Sequence, residues 1–415
     1  MADSMPRILI ALCAFVVPAA AQQRQQVQYP TPYYIISTDA DMDVVRELAV
    51  RVTAVAEVYY ERTKSFAGVI RTRFPLYVYT NAADYHEAGG PEGSAGCYSH
   101  RGRSGRLMAI AQPGREKFLW HVLQHEGFHQ FAHMVITEHL PIWVNEGMAE
   151  YFGIGIWTGD GLVTGVVPPD RLKTIQRLIQ DKSLLSFEQM LSMSREQWNA
   201  AIGGDSAWRN YIQAWSMVQF LVHADDGQYQ KAFGNFICDL AHRVNWKTAW
   251  SNRIGHDIEG FEKRYAEWWL AQSEDCSRDL HVQATVQTLG SYLRRAKLQR
   301  LKFQTASDFF AAAREGRIKP LDDINEWLPA DMLLECTSAA MLLGKWSLEA
   351  PRGKPTTLTL TTHDGKTYCA TIAMQSKLRC NRVLVQCSNA SGPEKSSDKS
   401  TSGTTDSSRP GRQAR

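Results

Sequence analysis

A pair of histidines four residues apart, inside a long stretch with helical periodicity, constrains the fold more than any other feature. From residue 116 to about 136, apolar residues recur at helical spacing without a proline, which predicts a helix of about five turns. Residues four apart lie on one face of a helix, so His125 and His129 can bind a single metal ion. Glu126 follows the first histidine, where its carboxylate can take a proton from a water beside the metal. The sequence therefore predicts a metal site on this helix.

The next predicted helix supplies two acidic side chains. Pro141 fits its first turn, and we expect the helix to end near Gly153. If the two helices fold back against each other, Glu146 becomes a third ligand, and a site of two histidines and one glutamate keeps a coordination position open for chemistry. Glu150 lies one turn further along the same face, where it can accept the free N–H of a ligand histidine and fix the tautomer of that ring.

These segments resemble those of the gluzincin (peptidase MA-like) zinc metallopeptidases, in which H-E-x-x-H is followed on a second helix by a ligand glutamate. More specifically, they are similar to a largely uncharacterised, exported bacterial family with H-E-x-x-H-Q-F, P-x-W-x-N-E-G-x-A-E-Y and Y-x-Q-A-W segments. The corresponding segments here are residues 125–131, 141–151 and 211–215. The resemblance covers roughly residues 30 to 275 and says nothing about the remainder.

The resemblance implies an activity, a cofactor and residue roles. It implies a zinc-dependent metallopeptidase whose zinc ligands are His125, His129 and Glu146. Glu126 would be the general base, and Glu150 would support a ligand histidine from outside the coordination shell. Tyr211 corresponds to the tyrosine or histidine that gluzincins commonly aim at the oxyanion, although a core tyrosine is an alternative interpretation. The G-x-M-E-N motif of the aminopeptidases is absent, which favours an endopeptidase or an inactive relative.

The remaining patterns predict an α+β fold with several units. A one-faced amphipathic helix over about residues 41–60 and strands at 74–80 and 107–111 indicate a small α/β sheet lobe, whose edge strand we expect near residues 108–111. We predict a helical zinc-binding lobe of zincin-like type next to it, followed by a small C-terminal β-rich module. In this module, threonine-rich alternation over residues 356–362, the turn pair Asp364-Gly365 and residues 366–372 predict a hairpin. The predicted boundaries are residues 22–115 for the α/β lobe, 116–280 for the helical lobe, 281–330 for a helical connector, 331–387 for the β-rich module and 388–415 for a disordered tail.

The amino terminus indicates export. Arg7, an apolar run over residues 8–17 and small residues up to Ala21 predict a signal peptide over residues 1–21, and hence a secreted or periplasmic protein. We expect no stable membrane insertion, because the apolar run is about half of the roughly 20 residues that a span needs. The 46 Lys and Arg against 43 Asp and Glu leave a net charge of +3, too small for a nucleic-acid partner. A peptide or protein substrate is the expected partner.

Two alternative functions stay open. In the first, the protein is an exported binding or structural protein whose zinc merely ties two helices together. The presence of Glu126 argues against it, because a purely structural site needs no general base. In the second, the protein is a zinc amidase that acts on cell-wall bonds. The sequence does not separate this amidase from a peptidase.

Overall fold

A mixed β-sheet and a set of helices meet at the predicted metal helix. The computed structural model describes residues 26–102, 104–112, 114–201, 207–351, 354–373 and 382–388, which form fourteen α-helices and eleven strands. The helices are α1 (Met42–Thr63), α2 (Ala82–Glu87), α3 (Glu116–Phe131), α4 (Ile142–Gly153), α5 (Pro169–Gln180), α6 (Phe187–Ser192), α7 (Arg195–Ala201), α8 (Ala207–His223), α9 (Gln230–Ala241), α10 (Trp246–Arg253), α11 (Ile258–Leu270), α12 (Arg278–Leu298), α13 (Ala306–Arg314) and α14 (Ala330–Ala340). The strands are β1 (Val27–Pro30), β2 (Tyr34–Thr38), β3 (Phe74–Tyr79), β4 (Gly96–Arg101), β5 (Ser104–Ile110), β6 (Ile156–Trp157), β7 (Leu162–Val163), β8 (Gly344–Glu349), β9 (Thr356–Thr362), β10 (Thr367–Ala373) and β11 (Arg382–Ser388).

The first five strands form one mixed sheet in the order β1-β2-β3-β5-β4. The two central pairings, β2 with β3 and β3 with β5, are parallel, whereas the two outer pairings are antiparallel. The edge strands are therefore β1 and β4, and the expectation of an edge strand near residues 108–111 is wrong, because β5 is paired on both sides. The polar sequence of β4, Gly-Cys-Tyr-Ser-His-Arg, lacks the apolar alternation that predicts a strand.

Helix α3 packs on this sheet lobe through aromatic side chains. The rings of Phe128 and Phe131 lie 5.6 and 5.5 Å from the ring of Tyr59 on α1. The Tyr59 hydroxyl also donates a hydrogen bond to the carbonyl of Gln124. The side chain of Gln124 donates in turn to the carbonyl oxygens of Phe152 and Gly153 at 3.0 and 3.1 Å. The sheet lobe, α3 and the end of α4 are thus connected through buried contacts.

The helices predicted around the candidate ligands are confirmed. Helix α3 covers residues 116–131 and continues as a π-helical turn over Ala132–Ile136, so the predicted helix changes its winding in its last turn. Helix α4 begins one residue after Pro141 and ends at Gly153. It lies between α3 and α8, and it is buried along nearly its whole length.

The C-terminal part forms a separate four-stranded antiparallel sheet in the order β11-β10-β9-β8. The predicted hairpin is confirmed as β9 and β10. Helix α12 packs on this sheet and carries two buried arginines toward the helical lobe. Arg294 and Arg295 contact Asp160 at 2.9 and 2.8 Å, and Arg294 Nη1 donates to Glu326 at 2.9 Å. A largely buried network of four charges, of which Glu326 is partly exposed, therefore joins the α12 region to the turn between β6 and β7.

Two predicted segments fall outside the described residues. The predicted signal peptide, residues 1–21, lies outside the described residues, as does the predicted tail beyond residue 388. Within the described ranges, no helix combines the length and apolar character that a bilayer span requires. The six cysteines in these ranges are all free thiols.

Gly147 provides a test of how tightly α4 must pack. A Cβ at this position would lie 2.4 Å from the carbonyl oxygen of Ala214 on α8, a backbone atom that cannot move aside. We therefore predict that Gly147→Ala lowers the free energy of unfolding by about 1–3 kcal/mol, measured by urea denaturation. Gly127→Ala on α3 is the matched control, because its Cβ would have no neighbour closer than 3.4 Å. Equal stability of the two variants would contradict the close helix contact.

Candidate metal centre

Helices α3 and α4 bring three donor atoms into one triangle. The Nε2 atoms of His125 and His129 are 3.2 Å apart. Glu146 Oε2 lies 3.5 Å from the first of these nitrogens and 3.4 Å from the second. A tetrahedral ion with bonds of about 2.0–2.2 Å separates its ligand atoms by about 3.3–3.6 Å. The two-helix geometry therefore places the three predicted ligand residues at the spacing that a single metal ion requires.

The centre is buried, and its histidines and carboxylates shift one another's pKa values. Burial by itself would raise the pKa of Glu146, but the charges and hydrogen bonds of His129 and His125 outweigh it and hold that pKa well below its usual range. Burial would likewise lower the pKa of His125, but its hydrogen bonds to Glu146 and Glu150 outweigh burial and raise the pKa to about 10. The carboxylates of α4 thus favour a positive charge between α3 and α4, as a metal site requires.

A second layer of contacts holds the ligand histidines. His125 Nδ1 lies 3.2 Å from Glu150 Oε1, the position predicted for this carboxylate. The other oxygen of Glu150 accepts a hydrogen bond from Arg171 on α5, and that guanidinium lies 5.2 Å from the centre of the Trp215 ring. The buried Nδ1 of His129 has no hydrogen-bond partner among the described residues.

A second group of donors, His121, His125 and Glu150, overlaps the first. It is the poorer cation site, because Arg171 already contacts Glu150 and its positive charge also acts on His121. His121 Nδ1 is moreover engaged by the carbonyl of Gly153 at 3.0 Å. This contact gives His121 a packing role, and we assign the candidate metal centre to the triangle with Glu146.

Glu126 faces the same cavity from the ligand helix, and the edge strand fixes its carboxylate. The backbone N–H of Tyr98 on β4 donates to Glu126 Oε2 at 2.8 Å. Because successive residues of a strand point their backbone groups to opposite sides, this N–H lies on the free edge of β4. One carboxylate oxygen is therefore held by the sheet, and the other is available to a group in the cavity.

The centre opens into a cavity of about 270 Å³. Tyr211 on α8 lines this cavity together with the ligands, and its ring centroid is 6.5 Å from that of His125. Burial, followed by the charge of Glu146, raises the pKa of Tyr211 to about 12, so its hydroxyl keeps its proton at neutral pH. The ring is supported by Trp198 at 5.0 Å. The structure therefore brings Tyr211 next to the candidate metal ligands, with its ring also packed partly against the core.

The sequence did not predict the cavity wall that is formed by β4 and the π-helical turn. The Tyr98 hydroxyl oxygen lies 2.7 Å from Nδ1 of His133, and the His133 ring stacks on that of His100 at 4.0 Å. His133 continues the four-residue spacing of the histidines on α3, and this spacing is the sequence signal that could have placed it here. Nothing in the sequence predicts β4, so Tyr98 and His100 could not be placed here. Asn145 and Arg195 also line the cavity.

The ligand triangle predicts which substitutions empty the site. After the chain is loaded with Zn²⁺, we expect elemental analysis to find about one metal ion per chain in the unaltered protein and little in His129→Ala and Glu146→Ala, because each removes a corner of the triangle. Glu150→Ala should weaken binding by only about 10–100-fold, since it acts through His125. His139→Ala is the control, because its ring lies at the surface against Arg243. Full occupancy in Glu146→Ala would identify another third ligand, with Glu150 the first candidate.

Comparison with known proteins gives a match over part of the chain. A family model described as "Protein of unknown function (DUF1570)" matches residues 121–244. No curated protein and no solved structure matches the chain. The matched segment contains all three candidate ligands, Glu126 and Tyr211, so the family description covers the metal centre without assigning it an activity.

Proposed function

We propose that this protein is a secreted or periplasmic zinc-dependent metallopeptidase of gluzincin type. The observation that carries the proposal is the buried triangle of His125, His129 and Glu146, with Glu126 facing the same cavity. Two imidazoles and one carboxylate are the ligand set of catalytic zinc sites that leave a position open. When bound there, zinc supplies a Lewis acid for a carbonyl oxygen and lowers the pKa of water.

Glu126 performs the proton transfers in this proposal. Its free carboxylate oxygen accepts a proton from the water whose oxygen attacks the peptide carbonyl carbon. As the C–N bond breaks, the same carboxyl group gives that proton to the leaving amine nitrogen. The hydrogen bond from the Tyr98 N–H keeps the carboxylate oriented without occupying both of its oxygens. Atoms and charge balance, because water is divided between the new carboxyl group and the new amine.

The edge strand β4 offers the substrate a backbone template. Tyr98 points its N–H to the free edge, and by alternation the N–H and carbonyl of His100 point the same way. His100 is exposed, so an extended peptide can add to this edge by main-chain hydrogen bonds. Because Glu126 already uses the Tyr98 N–H, pairing must be centred on His100 and its neighbours.

Tyr211 is the proposed donor to the oxyanion that develops on the attacked carbonyl. It reaches the cavity from α8, and its protonated hydroxyl can donate a hydrogen bond. The non-catalytic zinc protein and the cell-wall amidase are the rival functions. Both share the ligand triangle, and the two substitutions below, with defined substrates, separate them from a peptidase.

We predict that Glu126→Gln retains zinc and melting temperature but lowers kcat by at least about 100-fold. The amide is nearly the same size as the carboxylate, but it cannot accept a proton from water. Turnover is measured on a mixed peptide library and on cell-wall fragments, with and without chelator. Glu116→Gln is the control, because it changes an exposed acid at the start of the same helix.

The outcomes of this experiment distinguish the three functions. Chelator-sensitive cleavage of peptides that Glu126→Gln abolishes supports the peptidase. Cleavage confined to cell-wall fragments supports the amidase. Absence of hydrolysis in both forms supports the non-catalytic zinc protein, and equal rates in both forms exclude Glu126 as the base.

For Tyr211→Phe we predict unchanged zinc content and fold, with kcat lowered by about 100–1,000-fold and KM little changed. An oxyanion donor acts mainly in the transition state, so its loss affects turnover more than binding. Tyr368→Phe in the C-terminal module is the matched control, because its hydroxyl contacts Asp279 and not the cavity. A Tyr211→Phe protein with the kinetics of the unaltered chain would show that the ring only packs against Trp198.

A further inference from the structure

A second, larger cavity of about 830 Å³ adjoins the metal cavity. It lies between the segment of residues 68–74 and the π-helical turn at the end of α3. Its lining residues include Val69, Arg71, Gly102 and Met134. His133, Thr137 and Glu138 line both cavities, so the two spaces meet at these three residues. We call the larger space the distal groove.

The edge strand runs beside both spaces. Tyr98 and His100 line the metal cavity, and Gly102, in the turn that follows β4, lines the distal groove. At about 3.3 Å per residue, the six residues of β4 extend over about 20 Å. A peptide that pairs with the free edge of β4 beside Glu126 is thereby directed along this strand toward the distal groove.

The distal groove has an apolar surface without a partner in the described chain. Val69 is 63% exposed and Met134 is 36% exposed, and they belong to the two segments that line the groove, which are joined by a hydrogen bond from the Gly68 N–H to the Val135 carbonyl at 2.8 Å. Both side chains are therefore in contact with water in the free protein, and each loses exposed apolar area when an aliphatic side chain packs against it.

The distal groove leaves room for several residues of a polypeptide beyond the metal centre. A volume of about 830 Å³ lies toward the upper end of the range of about 300–1,000 Å³ for complete small-ligand pockets. A cleft that trims single residues from a chain end needs a closed wall near the metal. Here the space beyond His133 and Glu138 widens.

From these observations we infer that the distal groove is a substrate subsite for an extended polypeptide, which places an aliphatic side chain against Val69 and Met134. This inference rests on the proposed peptidase function and makes the protein an endopeptidase that acts on extended segments several residues from either end. The groove supplies binding energy at a distance from the scissile bond, so Val69 and Met134 are specificity residues and not catalytic ones.

Peptide binding to the zinc-loaded Glu126→Gln protein tests the inference without turnover. The probes are end-blocked, fluorescein-labelled peptides of Ala and Ser, about four or about twelve residues long, the longer ones with a single Leu at successive positions. Only the longer peptides can reach both spaces. We expect the best longer peptide to bind at least about tenfold more tightly than the short one, by fluorescence anisotropy, with one preferred Leu position.

Val69→Asp in the same background should remove this gain, whereas Leu342→Asp, which alters an 80% exposed leucine in the C-terminal module, should not. Circular dichroism confirms that both variants are folded. Equal affinity for short and long peptides, or no effect of Val69→Asp, overturns the groove inference while leaving the peptidase proposal intact. If no peptide of either length binds, the peptidase proposal fails and the groove inference fails with it.

Discussion

The structure around the candidate centre depends on the compensation of buried charge. Two carboxylates of α4 and two imidazoles of α3 face each other where water is largely excluded, and an uncompensated charge there would cost several kcal/mol. Each carboxylate has its own means of compensation. Glu146 closes the ligand triangle, whereas Glu150 is shared between His125 and Arg171. The close contact at Gly147 keeps α4 at the depth at which both pairings are satisfied.

The parts of the centre that the sequence predicts are those on long, periodic helices. Residues four apart on a helix share a face independently of the tertiary structure. The shared faces of His125 with His129 on α3, and of Glu146 with Glu150 on α4, could therefore be predicted from the sequence. The placement of Tyr211 came only from resemblance, because nothing local fixes how α8 crosses α4. The cavity wall on β4 was not predicted, since a short polar edge strand carries little periodic signal.

The strength of the local sequence signal also separates the predicted from the unpredicted elements elsewhere in the fold. The hairpin of β9 and β10 was predictable because threonine-rich alternation flanks the turn pair Asp364-Gly365, and Gly365 adopts the positive φ that such a turn needs. Strands β1, β2 and β8 and the helix α14 were not predicted individually, because short elements are defined by the neighbours they pack on. The order of the mixed sheet likewise follows from long-range pairing, which put β4 and not β5 at the edge.

The buried network at Asp160 bears on which part of the chain is a folding unit. Asp160 lies inside the segment matched by the family, but its partners Arg294, Arg295 and Glu326 lie well beyond it. The sheet that supports α3 lies before the segment. A chain cut to residues 121–244 would therefore leave the carboxylate of Asp160 without its arginine partners. It would also expose the aromatic side chains through which α3 packs on the sheet lobe. The matched segment contains the candidate metal centre, whereas the contacts that hold this segment in place extend on both sides of it.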